Sequence, residues 1–98
     1  MDKPDFSCAS FLIPVRLETK ERIENLRMIK KFYKENTDNC EFCFIESDNK
    51  PKMEKEGLLS EDDKYIFWEY SGPFTRTQSF NKVYKLSDRD FYVFCDTD

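Results

Sequence analysis

This sequence predicts an α/β domain with a mainly parallel sheet and helices on both faces. Three observations carry that reading. Short apolar runs of strand length recur along the chain, two segments with helical spacing separate them, and turn residues punctuate the joints. In order these give β-α-β-loop-β-α-β, a pattern that right-handed crossovers turn into a parallel sheet.

The first element is Phe11-Leu12-Ile13-Pro14-Val15, a continuous apolar run expected for a strand buried on both faces. Pro14 removes a backbone donor where the strand should be ending. Thr19 can cap the next segment, in which Ile23, Leu26, Ile29 and Tyr33 recur at three- and four-residue steps, so a helix is expected from about Thr19 to Glu35. Asn36 to Asn39 is turn chemistry, and Cys40 to Ile45 reads as a second strand stopped by Glu46-Ser47-Asp48-Asn49. Lys50 to Lys64 is charged, contains Pro51 and Gly57, and reads as a solvated excursion. Tyr65 to Tyr70 is the third strand, broken by Ser71-Gly72-Pro73. Thr75 caps a second helix with Phe80, Val83 and Tyr84 on one face, ending near Ser87, and Phe91 to Cys95 is the fourth strand.

Length and composition agree with one small domain, residues 1–98. A chain of this size buries roughly 60–65% of its unfolded surface. With 39% hydrophobic residues, ten Phe and five Tyr, it has enough apolar matter to form a core despite 37% charge. The formal charge is −4, and no Lys/Arg block is dense enough to bind a nucleic-acid backbone. No apolar run approaches the ~20 residues of a membrane span. The N-terminus Met1-Asp2-Lys3-Pro4-Asp5 lacks the basic-then-apolar form of a leader. The expectation is a cytoplasmic protein, at most peripheral to the inner face of a membrane.

Absences prune the chemistry. With no histidine there is no Ser-His-Asp or Cys-His machinery and no His-ligated zinc. With only Gly57 and Gly72, neither a Walker loop nor a Gly-x-Gly-x-x-Gly turn can be written. Cys8, Cys40, Cys43 and Cys95 read as reduced core thiols. Cys40-x-x-Cys43 would need two more soft ligands for zinc, with Cys8 and Cys95 the remaining cysteines. A redox pair usually opens a helix, whereas Glu41-Phe42-Cys43-Phe44 alternates like a strand.

In open α/β sheets ligands bind outside the carboxyl ends of the strands. There the sequence places Arg16, then Glu46 and Asp48, then Phe74 and Arg76, then Asp96 and Asp98. Two aspartates two residues apart on extended backbone aim to one side and could share a hard cation, Mg²⁺ or Mn²⁺, together with substrate phosphates. Arg76 follows the capping Thr75, where a helix N-terminus already favours an anion.

Phe74-Thr75-Arg76-Thr77-Gln78-Ser79-Phe80-Asn81, followed by a helix and Phe91-Tyr92-Val93-Phe94-Cys95-Asp96-Thr97-Asp98, resembles the "Phe-Asn-Arg-small … Asn … Asp-x-Asp" signature of GT-A glycosyltransferases. Ile13-Pro14-Val15-Arg16 is similar to the opening strand of galactosyltransferase-like members and of bacterial family 2 polysaccharide enzymes. The resemblance implies the N-terminal half of a GT-A fold, a Rossmann-like, mainly parallel sheet in strand order 3-2-1-4. It implies binding of a nucleotide-diphosphate sugar, UDP-linked by preference, and metal-assisted transfer of the sugar to a glycan acceptor in polysaccharide biosynthesis. Pro14, Val15 and Arg16 would lie against the nucleoside and diphosphate, and Glu46 would read the base. Phe74 and Arg76 would flank the nucleotide, Asp96 would contact ribose or metal, and Asp98 would ligate Mn²⁺ or Mg²⁺. The chain differs from the family at Thr75, where Asn is common, at Val83, where Gly is common, and at Glu46-Ser47-Asp48, where Asp-Asp-Gly is frequent. Because the family needs about as much chain again for the acceptor and catalytic base, the 98 residues are expected to be its donor-binding half, inactive or nearly so by themselves. A non-catalytic α/β module binding a nucleotide or a protein is the other expectation.

Overall fold

The computed structural model describes residues 3–95. Its strands are β1 (Ala9–Val15), β2 (Glu41–Asp48), β3 (Lys64–Glu69) and β4 (Phe91–Phe94). The helices are α1 (Lys20–Asn36) and α2 (Arg76–Val83), the latter prolonged by a 3₁₀ turn over Tyr84–Leu86. All four strands are parallel, in the order β3-β2-β1-β4. This is a Rossmann-like α/β sheet.

The two central strands read as they do because both their faces are covered. Phe11, Ile13 and Val15 of β1 and Phe42 and Phe44 of β2 pack with Leu26, Ile23 and Tyr33 of α1. Leu12 of β1 with Cys43 and Ile45 of β2 packs on the other side with Val83 and Phe80 of α2. Thr19 caps α1 as expected, its hydroxyl accepting from the Arg22 amide at 3.3 Å. Thr75 holds the cap position of α2, but its hydroxyl donates to Gln78 Oε1 instead of accepting an amide.

The stretch from Lys50 to Lys64 is not a solvated excursion. Met53 and Leu58 are fully or almost fully buried against the α1-side core. Gly57 adopts φ +68°, a left-handed turn that other L-residues resist, to return the chain. Its far end is pinned by Lys30 of α1, which donates to the Leu58 carbonyl at 2.6 Å and to Asp63 Oδ2 at 2.5 Å. The Asp63 side chain is nearly inaccessible, so this is a desolvated pair.

The amino edge of the sheet is closed by its own polar groups. Arg89 donates to the carbonyls of Phe6, Ala9 and Asn39, and Glu41 accepts from Ser10 while facing Lys64 and Arg89. Ligand chemistry is therefore sought at the carboxyl edge. No helix among the described residues is long and apolar enough to cross a membrane.

Candidate functional site

Because every strand is parallel, Val15, Asp48, Glu69 and Phe94 end on one edge. Pairing places Pro14 beside Ile45 and Val15 beside Glu46, all buried. Pro14 and Val15 thus form part of the floor of this edge.

Arg16 leaves β1 and turns toward the β3–α2 connection. Its Nε donates to the Ser47 carbonyl at 2.7 Å, and its two terminal nitrogens donate to Gly72 at 2.6 Å and Tyr70 at 3.0 Å. The guanidinium also stands 5.6 Å from the Phe74 ring and 5.9 Å from the Tyr70 ring. A rigid fork of donors suits three fixed carbonyls better than an ammonium does. Arg16 is consequently 9% exposed and staples the connection to β2. Gly72 fits the staple because any Cβ there would overlap the Tyr70 ring. The aromatic row continues outward: Tyr70 stacks on Trp68 at 4.4 Å, and Lys82 of α2 lies 4.7 Å over Trp68. A cleft of about 450 Å³ opens beside that row, lined by Trp68, Gln78, Asn81, Lys82 and Lys85.

Glu46 is fully buried. Its Oε2 accepts from the Lys52 amide at 2.8 Å, and its Oε1 accepts from the Tyr65 hydroxyl at 2.7 Å and the Met53 amide at 3.3 Å. Burial, reinforced by the carboxylate it serves, pushes the Tyr65 hydroxyl well above its usual range. Glu46 therefore organises the turn that carries Met53 into the core. Asp48 is similarly engaged, with Asn49 donating to Oδ1 and the Lys52 ammonium 3.2 Å from Oδ2 without hydrogen-bond alignment. The fully buried Ser47 hydroxyl has no hydrogen-bond partner among the described residues.

Phe74 is half-buried against Arg16, and Arg76 opens α2 on the exposed side. The structure thus brings Arg16 and Phe74 together, with Arg76 two residues further on, whereas Glu46, paired with Val15 along the backbone, turns its carboxylate to Lys52, Met53 and Tyr65 instead. Asp96 and Asp98, the expected metal pair, lie outside the described residues. Among the described residues no group of three or more Cys, Asp or Glu side chains could hold a metal ion. Cys40 and Cys43 are thiols, as are Cys8 and Cys95. Cys43 is fully buried and Cys8 is exposed, so the expectation of core thiols fails for Cys8, which precedes β1.

Sequence reasoning passed over the partners of these side chains. Tyr65 could not be matched to Glu46, nor Tyr70 and Gly72 to Arg16, since the pairs are 19, 54 and 56 residues apart. Only the Ser71-Gly72-Pro73 breaker signalled that the backbone there was special. Comparison with family models, with curated proteins and with solved structures finds no match.

Proposed function

We propose that this chain is the donor-binding part of a GT-A glycosyltransferase, holding a nucleotide-diphosphate sugar, UDP-linked by preference, at the carboxyl edge of the sheet. The observation that supports this best is a coincidence of place. The family-like segments Ile13–Arg16 and Phe74–Asn81 fall at the carboxyl end of β1 and at the start of α2, in a parallel sheet ordered 3-2-1-4. In this reading Phe74 and Arg76 flank the nucleotide on a connection that Arg16 holds still. Glu46 acts on the base side through the turn at Lys52 and Met53, and Pro14 and Val15 supply the floor.

A divalent cation, Mn²⁺ or Mg²⁺, would be held by Asp96 and Asp98, whose paired oxygen donors suit a hard ion, and would offset the charge of the departing diphosphate. Glu46 and Asp48 are already committed within the chain and do not extend that ligand set.

Calorimetric titration of UDP with and without Mn²⁺, in the wild type and in Asp98→Asn, tests the reading. Metal-dependent binding, weakened about tenfold or more by the substitution, is expected. Equal binding without metal and in the variant would refute the metal site. No UDP binding at all would favour a non-catalytic module that recognises a protein, a reading consistent with the internal use of the Arg16 and Glu46 polar groups.

A further inference from the structure

Among the described residues, β4 has a neighbouring strand on one side only. β4 donates from Phe91 to Cys8, and the following residue Cys95 donates to Leu12. In a parallel strand both backbone groups of alternate residues point to the same side. Residues 91, 93 and 95 therefore serve β1, and the N–H and C=O of Tyr92 and Phe94 point away from the sheet. Much aromatic side-chain surface is exposed as well. Phe91 is 64% exposed and Phe94 61%, and Tyr92 is exposed as well. Val93 and Cys95 pack toward the α1-side core, while Phe94 meets Phe80 at 4.7 Å and Tyr92 meets Tyr84 at 6.2 Å on the α2 side. Aromatic surface thus flanks the open backbone on both faces.

Strands meant to end a sheet are ordinarily blunted by a lysine, a proline or a bulge. Phe91-Tyr92-Val93-Phe94 has none of these and reads as an interior strand. The opposite edge differs: β3 begins with Lys64 and ends with Glu69. What the β4 edge lacks is specific, namely two hydrogen-bonding backbone residues and apolar cover on both sides. Another extended strand supplies both, whereas a lipid surface or a loose apolar ligand leaves the backbone groups unmet.

We propose that the occupant is β4 of a second copy of this chain, paired antiparallel about a two-fold axis. The strand complements itself in one register. Tyr92 of one copy opposes Phe94 of the other and exchanges both backbone bonds with it, Val93 opposes Val93, and Phe91 opposes Cys95. On each face an aromatic ring then meets an apolar neighbour across the strands, the pairing that stabilises sheets. The contact is isologous and closes at two copies, leaving both β3 edges outward. It joins the two sheets into one.

Sedimentation equilibrium of the whole chain tests this. The mass should move from 11.9 kDa toward twice that value as concentration rises. Copies each carrying −4 repel, so added salt should tighten the dimer. Phe91→Lys places a charge on the edge and Tyr92→Pro removes an outward donor; each should raise the dissociation constant about tenfold or more while leaving the circular dichroism spectrum unchanged. Residue-resolved hydrogen exchange of the wild type gives an answer even if a variant misfolds. The Tyr92 and Phe94 amides should gain protection with protein concentration, and the β3 edge should not. A wild type that stays monomeric at high concentration overturns the proposal. So do species larger than a dimer, or amides at 92 and 94 whose exchange ignores concentration.

Discussion

Replacing Glu46 by glutamine separates two accounts of that carboxylate. If it serves mainly to read a base, the substitution weakens nucleotide binding and spares the fold. If it serves the turn at Lys52 and Met53, the fold suffers first. The structure gives three donors to the carboxylate, two backbone amides and the Tyr65 hydroxyl, at 2.7–3.3 Å, in a fully buried place. Hydrogen bonds to a charged group contribute about 1.5–3 kcal/mol each. Glutamine keeps one oxygen, enough for Tyr65 and Met53, but turns an NH₂ toward the Lys52 amide, so one bond is lost and two donors face each other. Removing a buried charge recovers part of this, which leaves a net loss of about 2–3 kcal/mol. For a domain whose whole stability is about 5–10 kcal/mol this is a large fraction. Urea denaturation followed by Trp68 fluorescence measures it. Tyr65→Phe alone should cost about 1.5–3 kcal/mol, and the double variant should cost less than the sum of the two singles because glutamine has already weakened the bond that Tyr65→Phe removes. A Glu46→Gln loss below about 0.5 kcal/mol, or strict additivity with Tyr65→Phe, would refute the structural role.

Two further outcomes are expected. Arg16→Lys keeps the charge but cannot span three carbonyls, so it should destabilise the fold by about 2 kcal/mol and speed hydrogen exchange at the amides of residues 70–72, 74 and 75, leaving β1 and β2 protected. Unchanged exchange in that connection would show that the staple is not what holds it. Cys43 gives a pH dependence: burial first, then the nearby Glu41 carboxylate, pushes its thiol from 9.0 up to about 11. The unfolded chain gives up that proton near pH 9 while the folded chain keeps it. Stability is therefore unaffected below pH 9 and falls between pH 9 and 11, by at most about 2–3 kcal/mol. Tyr65 adds a loss in the same direction above pH 10. Urea titrations from pH 8 to 11 should show the onset near pH 9 in the wild type and above it in Cys43→Ala.

Much of the fold was legible because its signals are local. The apolar runs gave the strands, Thr19 gave the start of α1, and spacing gave both helices. The errors share a cause. β2 continues through Glu46-Ser47-Asp48, which reads as a turn, because polar residues can be buried when distant groups satisfy them. Lys50–Lys64 looked solvated because a charged segment gives no hint that Met53 and Leu58 will be core. Nor does it hint that Asp63 pairs with Lys30, 33 residues away. At the candidate edge, the positions of Arg16, Glu46 and Phe74 were legible, but the uses of the first two were not.

That difference bears on how the edge could work. A guanidinium bound to three carbonyls and a carboxylate bound to three donors have little capacity left for a ligand. In the proposed reading their contribution to recognition is indirect: Arg16 fixes the Tyr70–Phe74 connection, and Glu46 fixes the turn at Lys52. That reading leaves direct contact to Phe74 and Arg76, together with Asp96 and Asp98. A site divided this way keeps its shape before ligand arrives, so less ordering entropy is lost on binding. It also predicts how the two groups of substitutions differ. Changes at Arg16 or Glu46 should lower stability and binding together, whereas Arg76→Ala should weaken nucleotide binding by more than it lowers stability.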